Sequence, residues 1–323
     1  MDISCTFPPG PDVCEHVVLA ERLGYRRAWI YDSPPLYPDV WVTLARIAER
    51  TSRIGLGPGV LVPSLRHVLT QASAIATLEQ LAPGRTAVAI GVGFTARVAL
   101  GQRPLRWAEV ETYIRQLRGL LRGETVTVDG AAVRMLHPPG YAPAFPISVP
   151  IVVGANQPKG LRVARELGDG VMCFPHGQAG FEWCALIVLG TVLDEGEPAD
   201  SPRAFAAAGP ALTVGYHNIY ESRGAAAVDR FPGGAAWRRM IEEIPAEIRH
   251  LALHELHLVG VSERDRPLLR GDLLKSLTWT GTTAELRARL DKAAGEGVTE
   301  VVYGPMGPDV PRELTAFARV AGL

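Results

Sequence analysis

The sequence predicts a (β/α)8 TIM barrel with insertions after the fourth and seventh strands. Strands and helices alternate almost throughout the 323 residues. The short apolar strands end in glycine or in Asp, Ser and Pro, as barrel strands do where they open into a site. One βαβ unit, Arg53 to Phe94, is sharply delimited. In it a strand ends near Val62, a helix carries Val68, Ala72, Ile75, Leu78 and Leu81 at helical spacing, and Pro83-Gly84 stops it. Thr86–Ile90 is then a near-continuous apolar run, typical of a parallel strand covered on both faces. A right-handed crossover makes the two strand ends neighbours, so a site is expected there. A doubly wound open sheet is the alternative, but it needs a reversal of strand order that the sequence does not announce.

Taken in order, Asp2–Phe7 is the first strand, and Pro8-Pro9-Gly10 turns it into a helix ending near Leu23. Arg27–Tyr31 is the second strand, followed by Asp32-Ser33-Pro34-Pro35 and a helix over 39–50. After Gly93 the sequence reads as a loop, then as an amphipathic helix over 106–121 with Val110, Ile114, Leu117 and Leu121 on one face. Thr125–Val128 and Ala131–Met135 form a hairpin about Asp129-Gly130, and a proline-rich stretch leads to the fifth strand, Ile151–Val153. A helix over 159–167 precedes the sixth strand, Gly170–Phe174. Next come an expected helix over 180–193 and an expected seventh strand within 205–215. Residues 221–276 read as an irregular helical insertion, too long for a simple loop. A helix over 283–294 with Thr282 or Thr283 as cap, a strand at Val298–Tyr303 and a helix over 311–321 close the chain. No linker or repeat divides it, so one domain over 1–323 is expected.

Composition narrows the function. A net charge of −1 gives no attraction to nucleic acid or to an anionic membrane. No apolar run approaches the length of a membrane span, and no secretory leader pattern follows Met1, so a cytoplasmic location is expected. Cys5, Cys14, Cys173 and Cys184 share no CxxC spacing and read as free, buried thiols. His250, His254 and His257 would share a helical face, but the HELH run lacks the HExxH spacing of zinc proteases, so no metal is expected. The tryptophans are too scattered for a base-stacking surface.

Three stretches at strand ends are candidate site elements. Gly91-Val92-Gly93 lacks the third glycine of a dinucleotide fingerprint, but at a barrel mouth it permits close approach of backbone to a flat ring. In Gly154-Ala155-Asn156-Gln157-Pro158, the proline suits a first helical turn and frees loop amides for an anion, while Asn156 and Gln157 add donors and acceptors. His176, just past the sixth strand, sits where a barrel places its chemistry and is the candidate catalytic group.

These residues, in this order, resemble the bacterial-luciferase-like superfamily of flavin and deazaflavin oxidoreductases, most closely its methylenetetrahydromethanopterin reductase-like branch. The resemblance rests on Asp32, Gly57-Pro58-Gly59-Val60, Leu81–Arg85, Gly91-Val92-Gly93, Ala96–Pro104, Leu117–Glu124, Pro150–Pro158, Glu166–Val171 and the Gly281 to Val298 ending. It implies a cis peptide at Gly59-Val60 in a bulge that props a flavin ring. It also implies cofactor contacts at Asp32, Gly59, Val60, Gly91, Gly93, Phe94, Gly154, Ala155, Asn156 and Gln157. The implied cofactor is F420, with FMN as the alternative. The implied reaction is hydride transfer to or from a small organic substrate in a homodimer. An FMN monooxygenase and a non-catalytic ligand-binding barrel are the alternatives. Two departures stand out. Ser33 replaces the histidine that commonly follows the acidic residue, and Phe94 replaces a carboxylate found in some relatives, so that it lines an apolar pocket. The roof is expected from residues 123–150 and 221–276.

Overall fold

The computed structural model describes residues 1–323. In chain order the first half contains β1 (Asp2–Phe7), α1 (Val13–Leu23), β2 (Arg27–Ile30), α2 (Val40–Ala48), β3 (Gly55–Pro58), α3 (Val68–Leu81) and β4 (Val88–Gly91). A short α4 (Phe94–Val98), α5 (Trp107–Leu121), the hairpin β5 (Val126–Val128) and β6 (Ala131–Val133), β7 (Ile151–Gly154), α6 (Pro158–Leu167) and β8 (Gly170–Cys173) follow. The remainder comprises β9 (Cys184–Leu189), α7 (Pro202–Arg223), α8 (Gly234–Glu242), α9 (Arg249–Leu253), α10 (Gly271–Leu277), α11 (Thr283–Gly295), β10 (Glu300–Gly304) and α12 (Val310–Ala321).

Eight parallel strands run in the order β3-β2-β1-β10-β9-β8-β7-β4. Parallel bridges Leu56–Thr86 and Leu61–Ile90 join the two end strands, so the sheet closes into the expected barrel. Between those bridges Leu56 to Leu61 advances five residues while Thr86 to Ile90 advances four. The extra residue is a β-bulge at the end of β3. The Gly59-Val60 peptide within it is cis, as the resemblance implied.

Local chemistry explains most element ends. The Asp39 carboxylate caps α2 by accepting from the amides of Trp41 and Val42. Thr282 and Glu285 form a reciprocal capping box on α11. At the tip of the β5–β6 hairpin, Asp129 and Gly130 have φ of 49° and 81°, the positive pair a type I′ turn requires.

Four expectations are corrected. Residues 180–193 are not a helix: β9 lies there and is the seventh barrel strand. Residues 205–215 are not a strand: they belong to the 22-residue α7, which opens the second insertion. The reason is local. Cys184–Leu189 is an unbroken apolar run whose period fits either state, whereas Gly209-Pro210 breaks the helical signal inside α7. The strict alternation of strand and helix is also absent here, since ten residues, 174–183, return the chain from β8 to β9 without a helix. Lastly, the stretch after Gly93 is the short α4 rather than a loop. Both insertions stand after the fourth and seventh barrel strands as expected, and the second begins with α7.

The barrel interior is filled by Trp29, Ala87, Ala89, Val152, Met172, Ala185 and Val302. The second insertion has its own small core around Trp237 and Tyr216. Trp237 donates to Asp265 at 2.7 Å, and the His217 ring stacks on the indole at 5.6 Å. Buried Glu313 of α12 roots this insertion on the barrel. It accepts from Arg203 at the start of α7 (2.9 Å), from Thr191 (2.7 Å) and from Arg312 (2.8 Å). All four cysteines are free and buried. No helix is long and apolar enough to cross a membrane.

Candidate active site

A cavity of about 310 Å³ lies at the carboxyl-terminal mouth of the barrel, beneath the second insertion. Its lower wall comes from the strand ends: Tyr31 and Asp32 after β2, Gly59, Val60 and Val62 in the bulge, Gly93 and Phe94 after β4, and Ile187 and Leu189 of β9. Its roof comes from α7 through Ala211, Val214, Gly215 and Asn218, from His257 and Leu258, and from Leu277 at the end of α10. Fourteen of the 22 lining residues are hydrophobic, and none is lysine or arginine.

The bulge supplies the floor. A Cβ on Gly91 would stand 2.9 Å from Val60 Cγ2, and one on Gly154 would stand 3.0 Å from Val60 Cγ1. These two glycines therefore serve the seat of Val60 between β4 and β7, and Val60 rather than their own backbone faces the cavity. Gly93 is required twice over. Its φ of 73° is left-handed, and a Cβ would meet Val62 Cγ1 at 2.4 Å.

Asp32 forms the polar wall. Its Oδ1 accepts from Arg66 Nη1 at 2.7 Å, and Arg66 Nη2 donates to Asp39 Oδ2 at 2.6 Å. Burial pushes the Asp32 carboxyl above its ordinary value, against the hydrogen bond and charge of Arg66. Its Oδ2 is sealed without a well-aligned hydrogen bond, although the Val62 amide lies close. Ser33 also lines the cavity, and Phe94 contributes apolar surface as expected.

Gly154, Ala155, Asn156 and Gln157 end β7 beside the cavity and are not among its lining residues. The exposed Asn156 accepts from the Phe174 amide through Oδ1 at 2.9 Å, tying the ends of β7 and β8. Gln157 is the N-cap of α6 without a side-chain capping bond, and Pro158 opens the helix. The Lys159 and Gly160 amides find no backbone acceptor, so this terminus offers two free donors.

His176 is not brought to the cavity, which corrects the expectation from its place after β8. The ten-residue return turns down the outside of the barrel at once. A Cβ on Gly177 would already meet Val298 at 2.5 Å, near the amino-terminal end of β10, and His176 is exposed.

Sequence reasoning missed Tyr31, Tyr37, Arg66, Asn218 and the role of His257. The Tyr37 hydroxyl donates to the His257 carbonyl at 2.5 Å, holding the roof onto the β2–α2 loop. His254 Nδ1 and His257 Nδ1 are 3.2 Å apart, and no group of histidines, cysteines and carboxylates in the structure is arranged to hold a metal. Burial, then the neighbouring His254 and His217, lower the His257 pKa well below its usual 6.5. The unfolded chain therefore binds more protons than the folded one at this position below about pH 6.5. Stability from this group is complete above that pH and declines as pH falls toward the depressed folded value. Wild type is expected to lose up to about 1.4 kcal/mol per pH unit from this group. His257→Phe should flatten that slope in urea titrations between pH 7 and 5; an unchanged slope refutes the assignment.

The sequence profile of the luciferase-like monooxygenase family matches residues 8–300. The chain belongs to that family. It is 26% identical over 325 residues to a 5,10-methylenetetrahydromethanopterin reductase of Methanolobus tindarius, covering 95% of this chain and 94% of the relative. It is 33% identical over 180 residues to an F420-dependent glucose-6-phosphate dehydrogenase of Beutenbergia cavernae, about half of each chain (50% and 52%). The solved coenzyme F420-dependent tetrahydromethanopterin reductase of Methanopyrus kandleri superposes with a TM-score of 0.68 at 18% identity, over 98% of this chain and 97% of that one. The protein is thus a luciferase-like enzyme with a barrel fold, and its relatives support a deazaflavin or flavin cofactor.

Proposed function

We infer that this chain is an F420-dependent oxidoreductase that moves a hydride between the deazaflavin and a small, uncharged, largely apolar substrate. The observation that carries the substrate class is the cavity lining, which contains no lysine or arginine to neutralise a phosphate or carboxylate. On this reading the substrate differs in charge from the sugar phosphate of the glucose-6-phosphate dehydrogenase relatives.

The residues present fit a planar tricyclic cofactor. Val60, raised by the Gly59 bulge onto Gly91 and Gly154, presents an apolar floor to one face of a ring. The Asp32 carboxylate, held by Arg66, gives the cavity wall its polar group at the ring edge, and Phe94 and Leu189 exclude water. Gly93 lets the chain turn close over the ring, and the Gly154-Ala155-Asn156-Gln157 end of β7, with the Lys159 and Gly160 amides, suits the phosphate of a cofactor tail. When bound, F420 supplies two-electron hydride chemistry, and the protein orients substrate, keeps the cavity dry and supplies polar contacts at its wall.

Fluorescence titration of the purified protein with F420 and, separately, with FMN tests the reading. Micromolar or tighter F420 binding with at least tenfold weaker FMN binding is expected. Preference for FMN moves the chain to oxygen-consuming chemistry, and failure of both to bind leaves a barrel without redox function.

A further inference from the structure

The roof holds a pair of buried histidines that the floor and walls leave unexplained. His257 lines the cavity, and its Nδ1 is turned to His254 Nδ1 at 3.2 Å, which leaves His257 Nε2 without a protein partner. Of two facing ring nitrogens one must donate and the other accept, so one proton lies between them. Behind the pair, His254 Nε2 is 3.1 Å from Glu221 Oε1 of α7, with side chains only 2% and 8% exposed. The contact is too poorly aligned to count as a hydrogen bond, but His254 is the sole ion-pair partner of that carboxylate. A carboxylate this deeply placed is favoured by a cation beside it, and His254 is the one titratable base in ion-pair range. The other groups facing the pair are His217 of α7, itself 3.2 Å from Asp265 Oδ2, and the Tyr37 hydroxyl, which is engaged with the His257 carbonyl.

The geometry points to His257 as the general acid of the reaction, with His254 as the proton store behind it and Glu221 holding the charge. This rests on the hydride-transfer reading above. In the loaded state Glu221 is ionised, His254 carries both ring protons, and its Nδ1–H donates to His257 Nδ1. That fixes the His257 proton on Nε2, the nitrogen left for the cavity. With F420 bound, hydride arriving at a substrate carbonyl or imine carbon would send the C=O or C=N π pair to oxygen or nitrogen. That atom takes the proton from His257 Nε2, and the N–H pair stays on the ring. The His254 Nδ1 proton passes to His257 Nδ1, leaving His254 neutral with its remaining N–H toward Glu221. After product leaves, the Nδ1 proton returns to His254 in concert with reprotonation of Nε2 by solvent. The positive charge thus never rests on His257, in keeping with the burial and neighbouring histidines that oppose its protonation.

The test uses ¹⁵N-histidine NMR of the ligand-free protein beside kinetics of the F420-loaded enzyme, with cyclohexanone and 1-pyrroline as probes. At pH 7 the spectra should show His257 as the Nε2–H tautomer and His254 with two ring protons. Glu221→Gln should abolish the second proton on His254 without emptying the roof. His257→Gln should lower kcat on the order of 100-fold with F420 affinity within twofold of wild type. His254→Gln and Glu221→Gln should move the alkaline limb of kcat to lower pH. Two singly protonated histidines that ignore Glu221→Gln, or a His257→Gln enzyme within threefold of wild-type kcat, overturn the proposal. F420 affinity separates it from the parent reading. F420 binding with independent histidines refutes the pair alone, whereas a coupled pair in a chain that binds no F420 refutes the general-acid role together with the redox function.

Discussion

Replacing Glu300 by leucine is expected to destabilise the fold by about 3–5 kcal/mol, the cost of leaving a buried charge without its partner. Glu300 opens β10 at the bottom of the barrel and accepts from two indoles, Trp29 Nε1 at 3.2 Å and Trp183 Nε1 at 2.5 Å. Arg27 Nη1 stands 3.6 Å from the same carboxylate, and its guanidinium lies over the Trp183 ring at 4.7 Å and the Trp29 ring at 5.4 Å. Burial already lowers the Arg27 pKa, and Glu300 is the first group that opposes it. Leucine removes that support and strands two N–H donors in the same plug. Urea unfolding measures the loss; a change under 1 kcal/mol would mean that water reaches the plug and replaces the carboxylate. Arg27→Leu combined with Glu300→Leu should recover part of the loss, because the pair then leaves no lone charge. Cofactor affinity of the folded variant should be unchanged, since this plug sits at the end of the barrel opposite the mouth.

Gly215→Trp should have the converse signature, a loss of binding without loss of stability. Gly215 lies on the cavity side of α7, and a Cβ there meets nothing within 4 Å. Its φ is not positive, and glycine inside a helix is unfavourable, so tryptophan should cost nothing and add a few tenths of a kcal/mol. The indole must project into or across the mouth of a 310 Å³ cavity. F420 or substrate affinity is expected to fall on the order of 100-fold, about 2.8 kcal/mol, with the melting temperature at or slightly above wild type. Undiminished binding of both would place the ligand site elsewhere and defeat the reading of this cavity.

The barrel and part of its mouth were legible in the sequence because their signals are local. Apolar runs of strand length between glycines gave β1, β2, β4, β7 and β8, and helical spacing gave α3 and α5. Caps and turn residues such as Asp39, Thr282 and Asp129-Gly130 act on their own neighbours, so their effect is written where they stand. The Gly59-Val60 bulge was reached through resemblance and then seen in the one-residue offset between β3 and β4. The seventh strand was misread because β9 and α7 each contain a locally ambiguous stretch. The run of Cys184–Leu189 fits strand or helix, and Gly209-Pro210 disguises a helix that tertiary packing sustains.

Sequence alone determined the parallel barrel, the places of its two insertions and the free thiols through periodicity, turn chemistry and composition, and the family through resemblance. Tertiary structure decided which side chains meet. It carried His176 away on a return too short for a helix. It assigned Gly91 and Gly154 to the seat of Val60, and it brought Arg66 to Asp32. It also joined Glu221, His254 and His257, from separate parts of the second insertion, above the mouth. Such meetings depend on how an insertion folds back over a barrel, and no spacing along the chain encodes a contact between residues held together only by that packing.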